Sequence, residues 1–244
     1  MTAEALYRAF ADLDLPLTDG QIAQFLQYDA RLRAANQHMN LTAITAPQEV
    51  LEKHFIDSAL VLHYVNEPGQ RLIDIGSGAG FPGMVLAILR PDWEILLLDS
   101  LQKRVDFLRT LAGALGLSDR VRALHGRAEA LGHDPAYRER FDLATGRAVT
   151  QMGGFLEYAL PFVRIGGLVA VLKGPGDEGT LADIVSAAGT LGGTYRDTLA
   201  YTLPGGDDRR LWRFDKTATT PANYPRRPKA MRNRPLVPQK RDPS

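Results

Sequence analysis

The chain has 244 residues, 45% hydrophobic and 23% charged, with no cysteine and a formal net charge of +1. That length suits one large domain, or one domain with an appendage, and buries a core without staples. The missing cysteines exclude disulfides, zinc–thiolate sites and any cysteine nucleophile. No apolar run approaches the ~20 residues of a membrane span, and residues 1–10 carry Glu4 and Arg8 instead of a signal-peptide apolar stretch; a cytoplasmic protein, with nothing to force it beyond a monomer, is expected.

In chain order, residues 1–67 read as helical. Thr18 and Gln21 have capping-box spacing, and Ile22, Phe25, Leu26 and Leu32 follow helical periodicity. After a polar break at Asn40-Leu41-Thr42, Pro47 opens a second helical pattern with Val50, Leu51, Phe55, Leu60 and Val61 on its apolar face. From residue 68 strands alternate with helices. Strands are predicted at 71–75, 94–98, 121–124, 141–144 and 168–172. Helices are predicted at 82–89, 101–115, 151–163 and 181–191. Two final strands, 195–203 and 210–214, flank Pro204-Gly205-Gly206-Asp207 with no helix between them, so they form an antiparallel hairpin. This is a doubly wound α/β sheet. Its α/β units and terminal hairpin match the seven-stranded, Rossmann-like S-adenosylmethionine (SAM) methyltransferase fold, spanning 68–216.

The remaining segment, 217–244, holds seven basic residues (Arg226, Arg227, Lys229, Arg232, Arg234, Lys240, Arg241) against Asp242, a charge of +6, while the rest of the chain is −5. Such asymmetry suggests a polyanionic partner touched at one place; a solubilising tail is the other reading. Its six prolines predict an extended tail without helix, making mostly phosphate contacts that position without specifying.

The loop Asp74-Ile75-Gly76-Ser77-Gly78-Ala79-Gly80 lies between a strand and a helix. Glycine there lets a ligand approach the backbone, and the helix that follows offers free N–H groups. Gly76, Gly78 and Gly80 give the spacing usual for SAM; Gly78, Gly80 and Gly83 give that usual for dinucleotides. A strand ending at Ile75 makes Gly76 the first loop glycine and favours SAM, whose ammonium Asp74 could receive through charge or a water. Asp99, ending the next strand, suits the two ribose hydroxyls of either cofactor. It is also a natural cap for the following helix. Gly126-Arg127-Ala128-Glu129 follows the third strand, where an adenine edge would be met by a backbone N–H and an acid.

The acceptor is narrowed by what is missing. Methylation of pyrimidine carbon-5 needs a cysteine, and the Pro-Pro-aromatic signature of exocyclic amino methylation is replaced here by Thr145-Gly146-Arg147-Ala148-Val149. Guanine nitrogen-7 carries a lone pair and no proton, so it needs orientation more than a base. Arg147, after the fourth strand, could approach the O6 edge provided it leaves nitrogen-7 free; a surface ion pair is its other reading.

Together these features resemble the bacterial 16S ribosomal RNA guanine-nitrogen-7 methyltransferases, the RsmG or GidB family, along nearly the whole chain. The resemblance rests on Asn40-Leu41-Thr42, His54-Phe55-Ile56-Asp57-Ser58, residues 74–83 ending Gly80-Phe81-Pro82-Gly83, Leu98-Asp99-Ser100 before Lys103-Arg104, Arg127-Ala128-Glu129, Gly146-Arg147-Ala148, Leu172-Lys173-Gly174 and Arg209-Arg210-Leu211. The run from Thr220 to Pro228 is similar to tails in part of the family. The resemblance implies that Gly76, Phe81, Asp99, Ala128, Glu129 and Arg147 contact SAM; the loop reading adds Gly78. It also implies that Asn40, His54, Asp57, Arg147, Lys173 and Arg209 face the guanine or RNA; the charge of the tail separately marks Arg226 and Arg227 as RNA contacts. By residue alone, His54 could be a packing histidine and Asn40 a helix cap. Arg210 stands where the family often has histidine, and Ser77 where it often has threonine. Two further readings remain: an NAD-dependent oxidoreductase using the second glycine register, and a non-catalytic RNA-binding assembly module. No metal is expected.

Overall fold

The structure, a computed structural model, describes residues 1–147, 150–176 and 179–238. Ala148 and Val149 of the predicted acceptor motif, and Lys240 and Arg241 of the tail, lie outside the described residues. Helix α1 (Ala3–Ala11) is followed by α2 (Asp19–Met39), whose capping box is complete: the Thr18 hydroxyl accepts from Gln21 N–H, and the Gln21 side chain accepts from Thr18 N–H at 2.9 Å. Asn40, at φ 49° and ψ 52°, ends α2 in the left-handed conformation usual past a helix C-terminus. Helix α3 (Pro47–Val50) starts on its proline and runs on through a wide i→i+5 turn over Leu51–Ile56 into α4 (Asp57–Ala59) and a tight turn at Leu60–His63.

The sheet is built from β1 (Arg71–Ile75), β2 (Glu94–Asp99), β3 (Val121–His125), β4 (Phe141–Arg147), β5 (Val163–Lys173), β6 (Gly193–Thr202) and β7 (Asp208–Lys216). Between them lie α5 (Gly83–Leu89), α6 (Gln102–Ala114), α7 (Ala128–Leu131), α8 (Met152–Ala159) and α9 (Leu181–Thr190). The spatial order is β3-β2-β1-β4-β5-β7-β6, with β7 antiparallel to both neighbours. The hairpin is as expected; the insertion of its second strand beside β5 was not. Strand β4 runs three residues further than predicted, so Arg147 is its last residue.

Alternation along the strands divides the core. Leu72, Ile95, Leu97, Leu143 and Leu172 face α5, α6 and the N-terminal helices; Ile73, Ile75, Leu98, Ala144 and Val171 face α8 and α9. Both faces are covered, which is why β1, after its exposed first residue Arg71, is buried throughout and apolar except at Asp74. The N-terminal helices are part of this core: Phe10, Phe25 and Phe55 are fully buried, with centroids 5.0 and 4.9 Å apart along the series. Gln21 and Gln24 of α2 donate to the carbonyls of Ile88 and Leu115.

The tail departs from the extended chain expected. Helix α10 (Pro228–Asn233) forms within it, because proline at the first helical position gives up only a donor that has no helical partner anyway. Met231 and Val237 are buried against the body.

Gly83 seats α5 on the sheet: a Cβ there would stand 2.4 Å from Leu97 Cδ2 and 2.7 Å from Asp74 Oδ2. Gly83→Ala should therefore destabilise the fold by about 1–3 kcal/mol through overpacking. Urea unfolding at fixed pH tests this; a midpoint equal to wild type would show that the seat has room.

Candidate functional site

The C-terminal ends of the parallel strands carry the predicted loop. Gly76, Gly78 and Gly80 have φ of 71°, 58° and 107°, a backbone that residues with a Cβ rarely adopt. The loop is cross-tied: Gly76 and Ser77 N–H donate to Leu98 O, and Gly78 N–H donates to Asp99 Oδ2 at 2.9 Å. The other Asp99 oxygen caps α6 through Leu101 N–H, also at 2.9 Å, so its capping and site readings coexist. Arg104 stands 3.5 Å from Oδ2.

Asp74 is completely buried beneath the loop. Its Oδ2 accepts from Gly83 N–H at 3.0 Å, while Oδ1 has no hydrogen-bond partner among the described residues. Burial pushes this carboxyl up to about 7. A buried acceptor near the end of β1, beneath three positive-φ glycines and with no donor among the described residues, fits a donor group carried by a ligand.

Gly76, Asp99, Ala128 and Glu129 line one cleft, with Arg127 and Tyr158. A larger cavity of about 790 Å³ surrounds edge strand β3 but is bounded by Arg71 and Glu94, the first residues of β1 and β2. It therefore lies toward the wrong end of the strands, since ligands of open α/β sheets bind at the carboxyl ends.

A second cluster adjoins the loop. Arg147 reaches from the end of β4 to the wide turn before α4. Its Nη1 donates to Lys53 O at 2.5 Å and to Asp57 Oδ2 at 3.2 Å, and its Nη2 lies 2.7 Å from His54 Nδ1. A guanidinium only donates, so Nδ1 accepts; the ring proton then sits on Nε2 and is donated to Thr42 Oγ1, 2.9 Å away. Burial, then the adjacent Arg147 charge, holds His54 down to about 3. Phe81 lies beneath both groups, 4.2 Å from the His54 ring in a stack and 5.0 Å from the Arg147 guanidinium. Tyr28 stacks on Phe81 at 5.3 Å and donates to Ala79 O within the glycine loop. The remaining Asp57 oxygen accepts from Tyr201 of β6 at 2.8 Å, and Arg209 Nε stands 3.6 Å from Asp57 Oδ2.

His54, Asp57, Phe81, Arg147 and Arg209 are thus brought together. Asn40 is exposed and joins none of these bonds. Lys173 ends β5 and donates to Thr150 O. Arg226 corrects an expectation: its side chain forks onto Glu157 of α8, itself 1% exposed, at 2.8 and 2.7 Å, so it anchors the tail instead of facing an RNA phosphate. Arg227 beside it is exposed. Sequence reasoning missed Tyr28 and Tyr201. Tyr28 continues the helical spacing of Phe25 and Leu32, while nothing local marks Tyr201. Chemically, every acceptor atom of His54 and Asp57 is already engaged, so the cluster holds cations and aromatic faces in place without offering a free base.

Among known proteins, the profile of the family described as GidB, rRNA small subunit methyltransferase G, matches residues 21–188. The ribosomal RNA small subunit methyltransferase G of Leuconostoc citreum is 44% identical over 97% of this chain and all of its own. That of Moorella thermoacetica is 43% identical over 96% of this chain and 98% of its own. Among solved structures, TrmN from Thermus thermophilus is similar with a TM-score of 0.50 and 24% identity, covering 68% of this chain and 53% of its own. Geranyl diphosphate C-methyltransferase from Streptomyces coelicolor, solved with S-adenosyl-L-homocysteine, is similar with a TM-score of 0.52 and 12% identity, covering 66% and 79%. The structural likenesses show the shared fold. No described helix is long and apolar enough to cross a membrane.

Two buried titratable groups beside the glycine loop and the acceptor cluster, His54 and Asp74, oppose each other. His54, ordinarily at 6.5, contributes stability that is present above 6.5 and lost as pH falls toward about 3. Asp74, ordinarily at 3.8, contributes stability that is present below 3.8 and lost as pH rises through about 7. Between about pH 4 and 6.5 the slopes have opposite sign, each at most about 1.4 kcal/mol per pH unit. Asp74→Asn should unmask the His54 slope, so that its urea midpoint falls more steeply than wild type from pH 6.5 to 4. Parallel profiles would refute the opposed pair.

Proposed function

The chain belongs to the rRNA small subunit methyltransferase G family, and from that premise we propose that it transfers a methyl group from SAM to nitrogen-7 of a guanine in 16S ribosomal RNA. The observation that carries the choice of atom is the engagement of His54 Nδ1 by Arg147 and of both Asp57 oxygens by Tyr201, Arg147 and Arg209. An acceptor cluster whose described residues offer no free base suits an acceptor that has no proton to lose. An exocyclic amine would need one removed.

SAM, held by the loop from Gly76 to Gly80, Asp99, Ala128 and Glu129, supplies an electrophilic methyl group on a sulfonium. The chain's own part is positioning. Asp99 fixes the loop through Gly78 and keeps lone pairs for ribose hydroxyls. The orphaned Asp74 oxygen suits an ammonium, directly or through a water. Phe81, held between Tyr28 and His54, gives the region between the loop and the acceptor cluster a rigid apolar floor. Arg147 retains N–H groups beyond those already bonded, and one aimed at guanine O6 would orient the base and leave nitrogen-7 open. Holding the reactants in this way is worth up to about 7–11 kcal/mol in favourable systems. The partner is 16S RNA or the small subunit, met by a monomer in the cytoplasm; Lys173 and Arg209 flank the acceptor side.

Incubating the protein with labelled SAM and hypomethylated small subunits, then mapping the label, tests the reading. The label should appear as 7-methylguanosine; label on an exocyclic nitrogen, or none, would overturn it. Arg147→Ala should lower kcat about 100-fold or more. Asp99→Ala removes both the loop tie and the ribose acceptors and should abolish SAM binding in calorimetry; unchanged affinity would sink its assignment.

A further inference from the structure

Beyond β7 the chain is fastened to the body. Buried Lys216 donates to Leu160 O at 2.7 Å and pairs with Glu139 at 3.2 Å. Arg138 donates to the carbonyls of Thr220 and Tyr224, and His133 Nε2 lies 2.8 Å from Pro225 O. The Pro225 ring packs on Gly132, just past α7, leaving no space for a Cβ. Arg226 is forked onto Glu157, and Val237 is wedged against Gly153 and Gly179. The strap therefore runs from behind α7, whose Ala128 and Glu129 line the cofactor cleft, to the first turn of α8, which follows the β4 end that carries Arg147.

Between the anchors Arg226 and Val237 stand Arg227, Lys229, Arg232 and Arg234. All four are exposed, none is in an ion pair among the described residues, and residues 227–238 contain no acid. Exposed arginines of the body are commonly neutralised: Arg71 by Glu94, Arg164 by Asp142, Arg196 by Asp215. Tyr158, a residue of the cleft, is raised by burial and by Glu129 and Glu157, and the Arg127 and Arg232 charges act against that rise, which puts Arg232 within electrostatic reach of the cleft.

We propose that Arg227, Lys229, Arg232 and Arg234 form a pre-anchored phosphate-binding track beside the cofactor cleft that holds the RNA backbone flanking the target nucleotide. This rests on the reading of the chain as an rRNA methyltransferase. A polyanion is the partner that a run of exposed cations with no acid in its own segment and no ion pair among the described residues fits. Anchoring at both ends means that little chain has to be ordered on binding. Arg226 belongs to the anchor and not to the track.

The test is binding to naked 16S RNA and to hypomethylated small subunits over a salt series, with SAM calorimetry and a thermal midpoint as controls for folding. The variant R227Q/K229Q/R232Q/R234Q should bind RNA at least about ten-fold more weakly at 0.1 M salt, with the slope of log affinity against log salt reduced by about 3, at ~0.7–0.9 per lost phosphate contact. Its SAM affinity and midpoint should stay at wild-type values. Arg226→Gln should weaken binding at every salt concentration with the slope intact. Wild-type affinity and slope in the quadruple variant would overturn the track. A loss seen with subunits and absent with naked RNA would assign the cations to a protein surface and overturn it equally. A slope flattened by Arg226→Gln would overturn the anchor assignment. A wild type that methylates neither substrate but shows the strap-dependent slope would refute methyl transfer and support the track.

Discussion

The guanidinium of Arg147 ties the N-terminal helices to the catalytic edge of the sheet. It sits at the end of β4, yet its partners Lys53, His54 and Asp57 all belong to a helical segment about ninety residues earlier in the chain. The wide turn over Leu51–Ile56 presents a backbone carbonyl, an imidazole nitrogen and a carboxylate to one fork; turns of this kind are often found at functional sites. Removing the fork would leave a buried histidine without its donor and a buried aspartate with fewer cations, each costly in a low-dielectric setting. The tautomer of His54, the stack on Phe81 and the contact with β6 through Tyr201 all follow from where that one cation is held.

The same arrangement joins two functions through one ring. Tyr28, Phe81 and His54 are stacked in sequence, with Tyr28 bonded to the glycine loop and His54 to Arg147. A displacement of the loop is passed to the acceptor cluster by packed aromatic faces, which do not deform gradually. His54 ends this column, and Asp74 lies beneath the glycine loop that Tyr28 bonds; both have displaced protonation. Between about pH 4 and 7 both are mainly neutral, which limits the number of unpaired charges in the dry part of the site.

Much of this was legible in the sequence, unevenly and for physical reasons. Strand and helix order followed from periodicity, and the glycine loop and Asp99 from the chemistry of strand ends. The position of β7 between β5 and β6 was not, because a hairpin specifies that two strands pair and not which of them meets a third. His54 and Asp57 could be placed on one helix face by their spacing, but their burial depended on Phe81 and Arg147. Tyr201 meets Asp57 across 144 residues, which no local pattern encodes. Arg226 and α10 were misread for opposite reasons. A count of charges does not reveal a buried Glu157 waiting for one of them, and a count of prolines does not distinguish a helix-starting Pro228 from a helix-breaking one.

The sheet order also bears on how the chain comes off the ribosome. Strand β6 is paired with β7 and with no other described strand, and β7 alone joins it to β5. During synthesis from the N-terminus, β5 stays an open edge and β6 an unpaired ribbon until residues 208–216 emerge. Open edges of this kind invite pairing between chains. The segment from residue 208 onward is therefore more than an appendage to a finished domain: it is the part whose arrival closes the sheet, and a nascent chain stalled before it would expose β5 and β6, the longest strands of the molecule.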